Sequence, residues 1–244
     1  MNKVELLEKI INNAKKIVVM TGAGFSKASG IPDFRSSDGL YSDNYKNYKP
    51  EEILSRTFFM NHTKEFFDFY FDKMIYPNAL PNLAHRKLYE LEQSGRLLAI
   101  ITQNIDGLHQ KAGCKKVLEL HGTVLENYCI SCNESYDLKE FINLKDKPVC
   151  VKCGNVIKPK VTLYEEMLDE EVLNKSIDVM KEADLLIVMG TSLNVAPASS
   201  LPYLYRGKYI VVINKEETQL DKYATLVIND LVERILPKVK IERI

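Results

Sequence analysis

Two C-x-x-C pairs carry the most specific spacing in this chain: Cys129-Ile130-Ser131-Cys132 and Cys150-Val151-Lys152-Cys153, separated by residues 133–149. Four thiolates at that separation match the tetrahedral shell of a zinc ion. A filled shell leaves no open position for water or substrate, so the metal is expected to be structural, one per chain. Cys114 lies outside both pairs and reads as an unligated thiol. It brings the cysteines to an odd five. The first residues carry charges every few positions and do not read as a secretion signal, so a disulfide framework is not expected.

Other residues suited to chemistry come in short clusters. Gly22-Ala23-Gly24 follows an apolar run and suits a phosphate-binding turn. Glycine lets backbone approach an anion, and a helix starting behind it would offer free N–H groups. Lys27 stands where a G-x-G-x-x-G fingerprint would have its third glycine, so the standard dinucleotide motif is not met. Phe34 and Arg35 sit side by side in a loop, an aromatic face and a guanidinium able to cover a ring and a phosphate or ribose. The bland alternative is a buried anchor beside a solvated arginine. Thr102-Gln103-Asn104-Ile105-Asp106 offers amide and carboxylate groups for ligand recognition, or equally an Asx turn with Asp106 capping the next helix. His121 closes another apolar run, where an imidazole is a natural general base near neutral pH. His62, His85 and His109 read as structural residues.

These clusters must be held by something, and the apolar pattern says what. Val4, Leu7, Ile10, Ile11 and Ala14 predict a helix over residues 3–15. Short apolar runs at Ile17–Met20, Leu97–Thr102, Val117–Leu120, Leu185–Met189, Tyr209–Ile213 and Leu226–Ile228 predict strands, with helical pattern between several of them, as at Leu168–Ala183. Strand alternating with helix implies a mostly parallel sheet covered on both faces. Ligands of such sheets sit beyond the carboxyl ends of the strands, where Thr21–Gly24, Gln103–Asp106, His121-Gly122, Gly190–Ser192 and Asn214 all fall. Residues 36–83, rich in Phe and Tyr, and residues 125–164, holding the four paired cysteines, interrupt the alternation. The expected fold is therefore α/β: a Rossmann-like sheet domain of residues 1–35, 84–124 and 165–244, with a helical module (36–83) and a zinc-binding module (125–164) inserted as a small lobe.

Composition narrows the function classes. Lys plus Arg and Asp plus Glu are both 33, so the formal charge is zero and no nucleic-acid footprint is expected. The hydrophobic fraction of 45% and charged fraction of 27% are those of an ordinary globular chain. The apolar runs are too short to span a bilayer, and the expected location is the cytoplasm.

Taken together the motifs resemble the sirtuin family of NAD-dependent protein-lysine deacylases. The resemblance is carried by Gly22-Ala23-Gly24-Phe25-Ser26 with Ser29–Arg35, by Thr102–Asp106, by Leu120-His121-Gly122, by the two cysteine pairs, and by Gly190-Thr191-Ser192-Leu193 with Val212-Ile213-Asn214. It extends from residue 22 to about 231. It implies that NAD is held by Gly22, Ala23, Gly24, Ser26, Lys27, Phe34, Arg35, Gly190, Thr191, Ser192, Asn214, Lys215 and Leu231. Gln103, Asn104, Ile105 and Asp106 would line the ribose and nicotinamide pocket, Asp106 holding the carboxamide, with His121 as base and Asn104 beside it in catalysis. The implied reaction transfers an acetyl or other neutral acyl group from a protein lysine to ADP-ribose. Nicotinamide leaves, the acyl oxygen attacks the ribose, and water releases free lysine and O-acyl-ADP-ribose. An ADP-ribosyltransferase or NAD hydrolase of the same fold is the alternative. The acyl-lysine peptide would dock as a strand near Thr162–Glu166 and Leu193–Val195.

Two departures from the family pattern stand out. Glu165 occupies the glycine position of Phe-Gly-Glu, and Lys27 replaces a small residue near the NAD turn. Relatives that remove acidic acyl groups resemble one another in a Tyr-x-x-Arg pair of the helical module. Alignment puts Phe67 and Tyr70 there, which implies an apolar wall and a preference for acetyl over succinyl.

Overall fold

Strands β1 (Ile17–Thr21) and β7 (Leu185–Met189) are buried along their whole length. The computed structural model, which describes residues 2–243, sets them side by side at the centre of a six-stranded sheet ordered β3-β2-β1-β7-β8-β9. Its other strands are β2 (Leu97–Thr102), β3 (Val117–Glu119), β8 (Tyr209–Ile213) and β9 (Leu226–Ile228), and every pairing is parallel. Period-two alternation explains the continuous apolar runs. Ile17, Val19 and Ile187 face one core with Leu7, Ile11 and Leu88. Val18, Met20, Leu186 and Val188 face the other, with Met180 and Leu201. A strand buried on both faces has no polar side to show, and its sequence becomes a solid block of β-branched and aliphatic residues.

Helices α1 (Lys3–Asn13), α2 (Pro50–Ile53), α3 (Arg56–Asn61), α4 (Thr63–Lys73), α5 (Leu83–Gln93), α6 (Leu108–Lys111), α7 (Leu138–Asn143), α8 (Glu170–Glu182) and α9 (Val232–Ile235) complete the regular elements besides short 3₁₀ turns. Helix α1 opens with a reciprocal cap between Asn2 and Glu5 and stops two residues short of the expected end, because Ala14 turns extended. Helix α8 starts at Glu170, where Asp169 accepts from the Val172 amide. Both adjustments are capping chemistry at ends that hydrophobic spacing does not mark.

A second sheet, β5-β4-β6, is antiparallel: β4 (Gly122–Cys129), β5 (Ser135–Asp137) and β6 (Ile157–Val161). It shares an aromatic core with α3, α4 and α7, built on Phe58, Phe59, Phe66, Phe69, Tyr70 and Phe141. Phe59 meets Phe66 edge-on at 4.9 Å, and Tyr70 stacks on Phe66 at 5.6 Å. Such pairs each add about 0.5–1.5 kcal/mol beyond area burial. Among the described residues, no helix is long and apolar enough to cross a membrane.

The chain leaves β1 for β2 and β3 on one side and returns to β7 on the other. The β1/β7 boundary is therefore the switch point of the sheet, and a crevice opens beyond the carboxyl ends of these two strands.

Candidate active site

At that boundary two turns interlock. The Gly22 amide donates to Met189 O at 3.2 Å and the Gly24 amide to Gly190 O at 2.9 Å. A Cβ on Gly22 would lie 2.6 Å from the Thr191 Cβ, and one on Gly190, whose φ is +61°, would lie 2.5 Å from the Phe25 amide nitrogen. The glycines are demanded by turn-on-turn packing. The expected helix behind Gly24 is not formed: 3₁₀ turns at Ala23–Phe25 and Lys27–Ser29 take its place. The Gly22, Gly24, Phe25 and Ser26 amides already donate to carbonyls, so the turn is not the open cradle of N–H groups that its composition suggests. Phe25, fully buried, pins it against His85 and His109.

The loop after β2 supplies the polar groups. Asn104 Nδ2 donates to Ser26 Oγ at 3.1 Å, and Ser26 Oγ donates to Asp106 Oδ2 at 2.6 Å. The other Asp106 oxygen accepts from the Leu108 amide, so the turn-capping reading of Asp106 is also realised. Burial raises the Asp106 pKa against the pull of these two donors. Ala23, Ser26, Phe34, Asn104, Ile105 and Asp106 all line one cavity of about 360 Å³, which continues past Met74, Tyr76 and Leu125. An amide, hydroxyl and carboxylate on a mostly apolar wall, which Lys73, Gln110 and Lys111 also edge, fit a flat carboxamide-bearing ring.

His121 stands outside that lining, just past β3. Its Nδ1 lies 3.0 Å from Gln103 O. A carbonyl only accepts, so Nδ1 carries the proton and Nε2 is left with its lone pair. Burial lowers the His121 pKa below the ordinary 6.5, opposed by the Gln103 contact. The ring is therefore neutral, and hence a base, at neutral pH. Gln103 also donates from Nε2 to Thr191 Oγ1 at 3.0 Å, which ties the β2 loop to the β7 turn. Neighbouring Glu119 is half-buried, and desolvation pushes its pKa up to about 6.

The remaining candidates follow along the carboxyl edge. Gly190–Ser192 succeed β7; Asn214 and Lys215 succeed β8, Asn214 donating to Glu216 O; Leu231 precedes α9. Lys27 has a definite employment: its ammonium pairs with Asp33 at 3.2 Å and Asp38 at 3.0 Å, fastening the loop that carries Phe34 and Arg35. Phe34 packs on Tyr41 at 5.3 Å, and the Arg35 guanidinium lies 5.6 Å from the same ring.

The four paired cysteines converge, all Sγ atoms lying within 4.8 Å of one another. Cys129 and Cys153 are 3.4 Å apart, Cys132 and Cys150 3.6 Å, far longer than a disulfide. A tetrahedral zinc with bonds of about 2.3 Å needs sulfurs roughly 3.8 Å apart, so the set fits. Donors support thiolate charge: Tyr136 OH reaches Cys150 Sγ at 3.1 Å, and the Lys152 and Ser131 amides point at Cys150 and Cys129. Cys114 is buried elsewhere and its thiol is pushed up to about 12, which leaves it inert.

Three expectations need correction or completion. Phe67 and Tyr70 are 3% and 0% exposed within the aromatic core, so they present no open apolar wall to solvent. The helix presents them inward, a direction that alignment of letters does not give. Glu165 adopts a φ of +75°, the left-handed region that favours glycine. Its carboxylate accepts from the Thr57 amide and hydroxyl, at 2.9 and 2.7 Å, rather than standing free at a peptide edge. In Thr162–Glu166 the Thr162, Leu163, Tyr164 and Glu166 amides already have partners, so these four N–H groups are not free to pair with a peptide. Leu193 likewise has φ +55° and donates to Thr191 Oγ1. Sequence reading missed Tyr41 and the Tyr164 hydroxyl, which meet across 123 positions.

The Sir2 family model matches residues 22–197. An NAD-dependent protein deacetylase of Clostridium perfringens is 51% identical over 98% of both chains, and one of Clostridium acetobutylicum is 48% identical over 98% of both. Among solved structures, a Sir2 complex with p53 peptide and NAD⁺ superposes with a TM-score of 0.87 at 40% identity, covering 98% of this chain and 97% of the other. A Sir2 variant with deacetylated p53 peptide and 3′-O-acetyl ADP-ribose gives 0.90 at 38% identity over 96% of each. With its glycine turns, its Ser26–Asn104–Asp106 cluster and its four-cysteine centre in family order, this chain belongs to the Sir2 family.

Proposed function

We propose that this protein removes acetyl groups from protein lysines at the expense of NAD, as its relatives are named for doing. The observation that carries the reading is the pairing of a neutral His121, with Nε2 bare, and a buried Ser26–Asn104–Asp106 set. The first can accept a proton from a ribose hydroxyl. The second matches a nicotinamide carboxamide. Bound NAD supplies the electrophilic ribose carbon that the acyl oxygen attacks.

The chain's own residues then have distinct tasks. Asp106 and the Asn104 amide orient the ring, and Ile105 closes the wall beside it. Gln103 holds the His121 ring in the tautomer that leaves Nε2 basic. Phe34 covers the cavity and excludes water that would intercept a cationic intermediate. Thr191, Ser192, Asn214, Lys215 and Leu231 mark the path for the adenosine half along the sheet edge. The peptide adds beside Glu165 and Leu193–Val195. Zinc, bound by Cys129, Cys132, Cys150 and Cys153, holds the small sheet together and takes no part in the chemistry.

This reading assigns residues 1–35, 84–124 and 165–244 to the NAD-binding part, and 36–83 and 125–164 to the lobe that closes the cleft. Four reduced thiolates suit a cytoplasmic setting. The test is mass spectrometry of acetyl-lysine peptides with and without NAD. Deacetylated peptide with equimolar nicotinamide and O-acetyl-ADP-ribose is expected. Nicotinamide release that ignores the peptide, or ADP-ribose left on a protein, would replace this reading with NAD hydrolysis or ADP-ribosyl transfer.

A further inference from the structure

A hydroxyl pair joins the two segments assigned to different ligands. Tyr41, in the loop of Phe34 and Arg35, places its hydroxyl 3.1 Å from that of Tyr164, in the segment beside the peptide path. The two ends of this contact differ in how firmly they are held. Tyr164 is bound on both sides of its peptide unit to the helical module: its amide donates to Leu54 O at 2.9 Å, and its carbonyl accepts from the Arg56 amide at 3.0 Å. Next to it, Glu165 grips Thr57 through two further hydrogen bonds. Tyr41 sits in a local turn, its amide donating to Phe34 O and the Leu40 amide to Asp33 O. Beyond that, the turn is fastened by the half-buried Lys27–Asp33 pair, by the more exposed Lys27–Asp38 pair, by Ser36 donating to Asp33, and by Phe34 and Tyr41 packing on the aromatic core, but no further backbone hydrogen bond joins it to the helical module among the described residues. Tyr41 in turn carries Phe34 on one face and lies next to the Arg35 guanidinium.

We propose that Tyr164 is a positioning residue for NAD: its hydroxyl holds Tyr41, and through Tyr41 the Phe34–Arg35 pair, over the cofactor cavity. The inference deepens the deacetylase reading and rests on it for the identity of the ligand. It also makes the contact a coupling point. A peptide that steadies Tyr164 favours the loop position that covers NAD, and NAD beneath Phe34 favours the Tyr164 position in return, as linkage requires.

The experiment uses Tyr164→Phe, Tyr41→Phe and the double variant in the full chain. Phenylalanine keeps the ring and removes only the bond, so folding is preserved. Amide exchange over residues 33–45 is measured without ligand, and steady-state kinetics with an acetyl-lysine peptide. Each single variant is expected to exchange faster in the loop and to raise the KM for NAD roughly threefold to tenfold, by more than kcat falls. The double variant should match the singles, because both remove the same bond. Unchanged exchange in either single variant, an unchanged KM, or a double-variant KM equal to the product of the singles overturns the proposal. Loop exchange needs no turnover, so a wild-type protein without NAD-dependent deacetylation would sink the functional reading while leaving the contact itself measurable.

Discussion

Ser26 and Asp106, eighty residues apart, are joined by a 2.6 Å hydrogen bond from the serine hydroxyl to Asp106 Oδ2. The bond links the turn after β1 to the loop after β2, and Asn104 adds a donor to the same hydroxyl. Burial raises the Asp106 pKa, and the Ser26 bond is the larger of the two opposing influences. Ser26→Ala therefore raises it further. The expected result is a fall in kcat/KM for NAD of about tenfold to a hundredfold, the worth of a hydrogen bond to a charged group. A kcat/KM within about threefold of wild type would mean that the Ser26 bond does not support Asp106 in its role.

His121→Ala should cost roughly 10²- to 10⁴-fold in kcat, the usual value of a positioned general base, with fold and zinc content retained. In the wild type the lowered pKa predicts an acid limb whose midpoint lies below 6.5. Nicotinamide release and deacetylation followed together check both points. A mutant holding a tenth of wild-type turnover would remove His121 from the role.

Much of this arrangement is legible in the letters, for a definite reason. β2, β7, β8 and β9 match the apolar runs residue for residue, because largely buried parallel strands read as near-continuous apolar runs. The cysteine spacing and the position of His121 at a strand end are equally local signals. What escapes is whatever depends on a distant partner. Gly22 and Gly190 read as an anion turn, yet their necessity lies in each other's backbone. Lys27 looks like an intruder until Asp33 and Asp38 are seen on either side of its ammonium. Glu165 pays for a left-handed φ with the Thr57 bonds, a relation across 108 positions.

Two histidines set the acid stability of the large core. Burial lowers the His85 pKa to about 4, and His109 well below its usual value. Both are charged in the unfolded chain below pH 6.5 and neutral in the folded one. A depressed folded pKa means stability that is fully present above 6.5 and lost as pH falls towards 4. Each contributes a slope of about 1.4 kcal/mol per pH unit across that window. Urea denaturation at pH 7.5, 5.5 and 4.5 should show the decline, and His85→Gln should flatten it. A slope that does not change in the variant would assign the loss to carboxylates instead.

Removing zinc should act on the small lobe. Tyr136 joins the centre to its sheet, donating to Cys150 Sγ and accepting from the Val151 amide at 3.0 Å. One zinc per chain is expected by elemental analysis. Cys150→Ala should lose it and abolish activity by loosening β5-β4-β6, while Tyr136→Phe should weaken metal retention about tenfold to a hundredfold against a chelator, as outer-shell changes do. Normal turnover by metal-free protein would contradict the structural assignment.

Tyr70 separates a stability residue from a specificity residue. Alignment places it where an acyl carboxylate would be read, but the ring is fully buried between Phe66, Phe71 and Phe141. Its hydroxyl, also buried, has no hydrogen-bond partner among the described residues. A buried hydroxyl without a partner costs about 1–3 kcal/mol relative to an apolar group of the same shape. Tyr70→Phe removes that cost and leaves the volume almost unchanged, so the variant should be as stable as the wild type or more so. It should leave the ratio of kcat/KM for acetyl- and succinyl-lysine peptides untouched, because the ring lies wholly within the aromatic core. Melting temperature and the two peptide assays decide the matter together. A lower melting temperature would show that the hydroxyl is satisfied in solution, and an altered acyl ratio would return Tyr70 to the site.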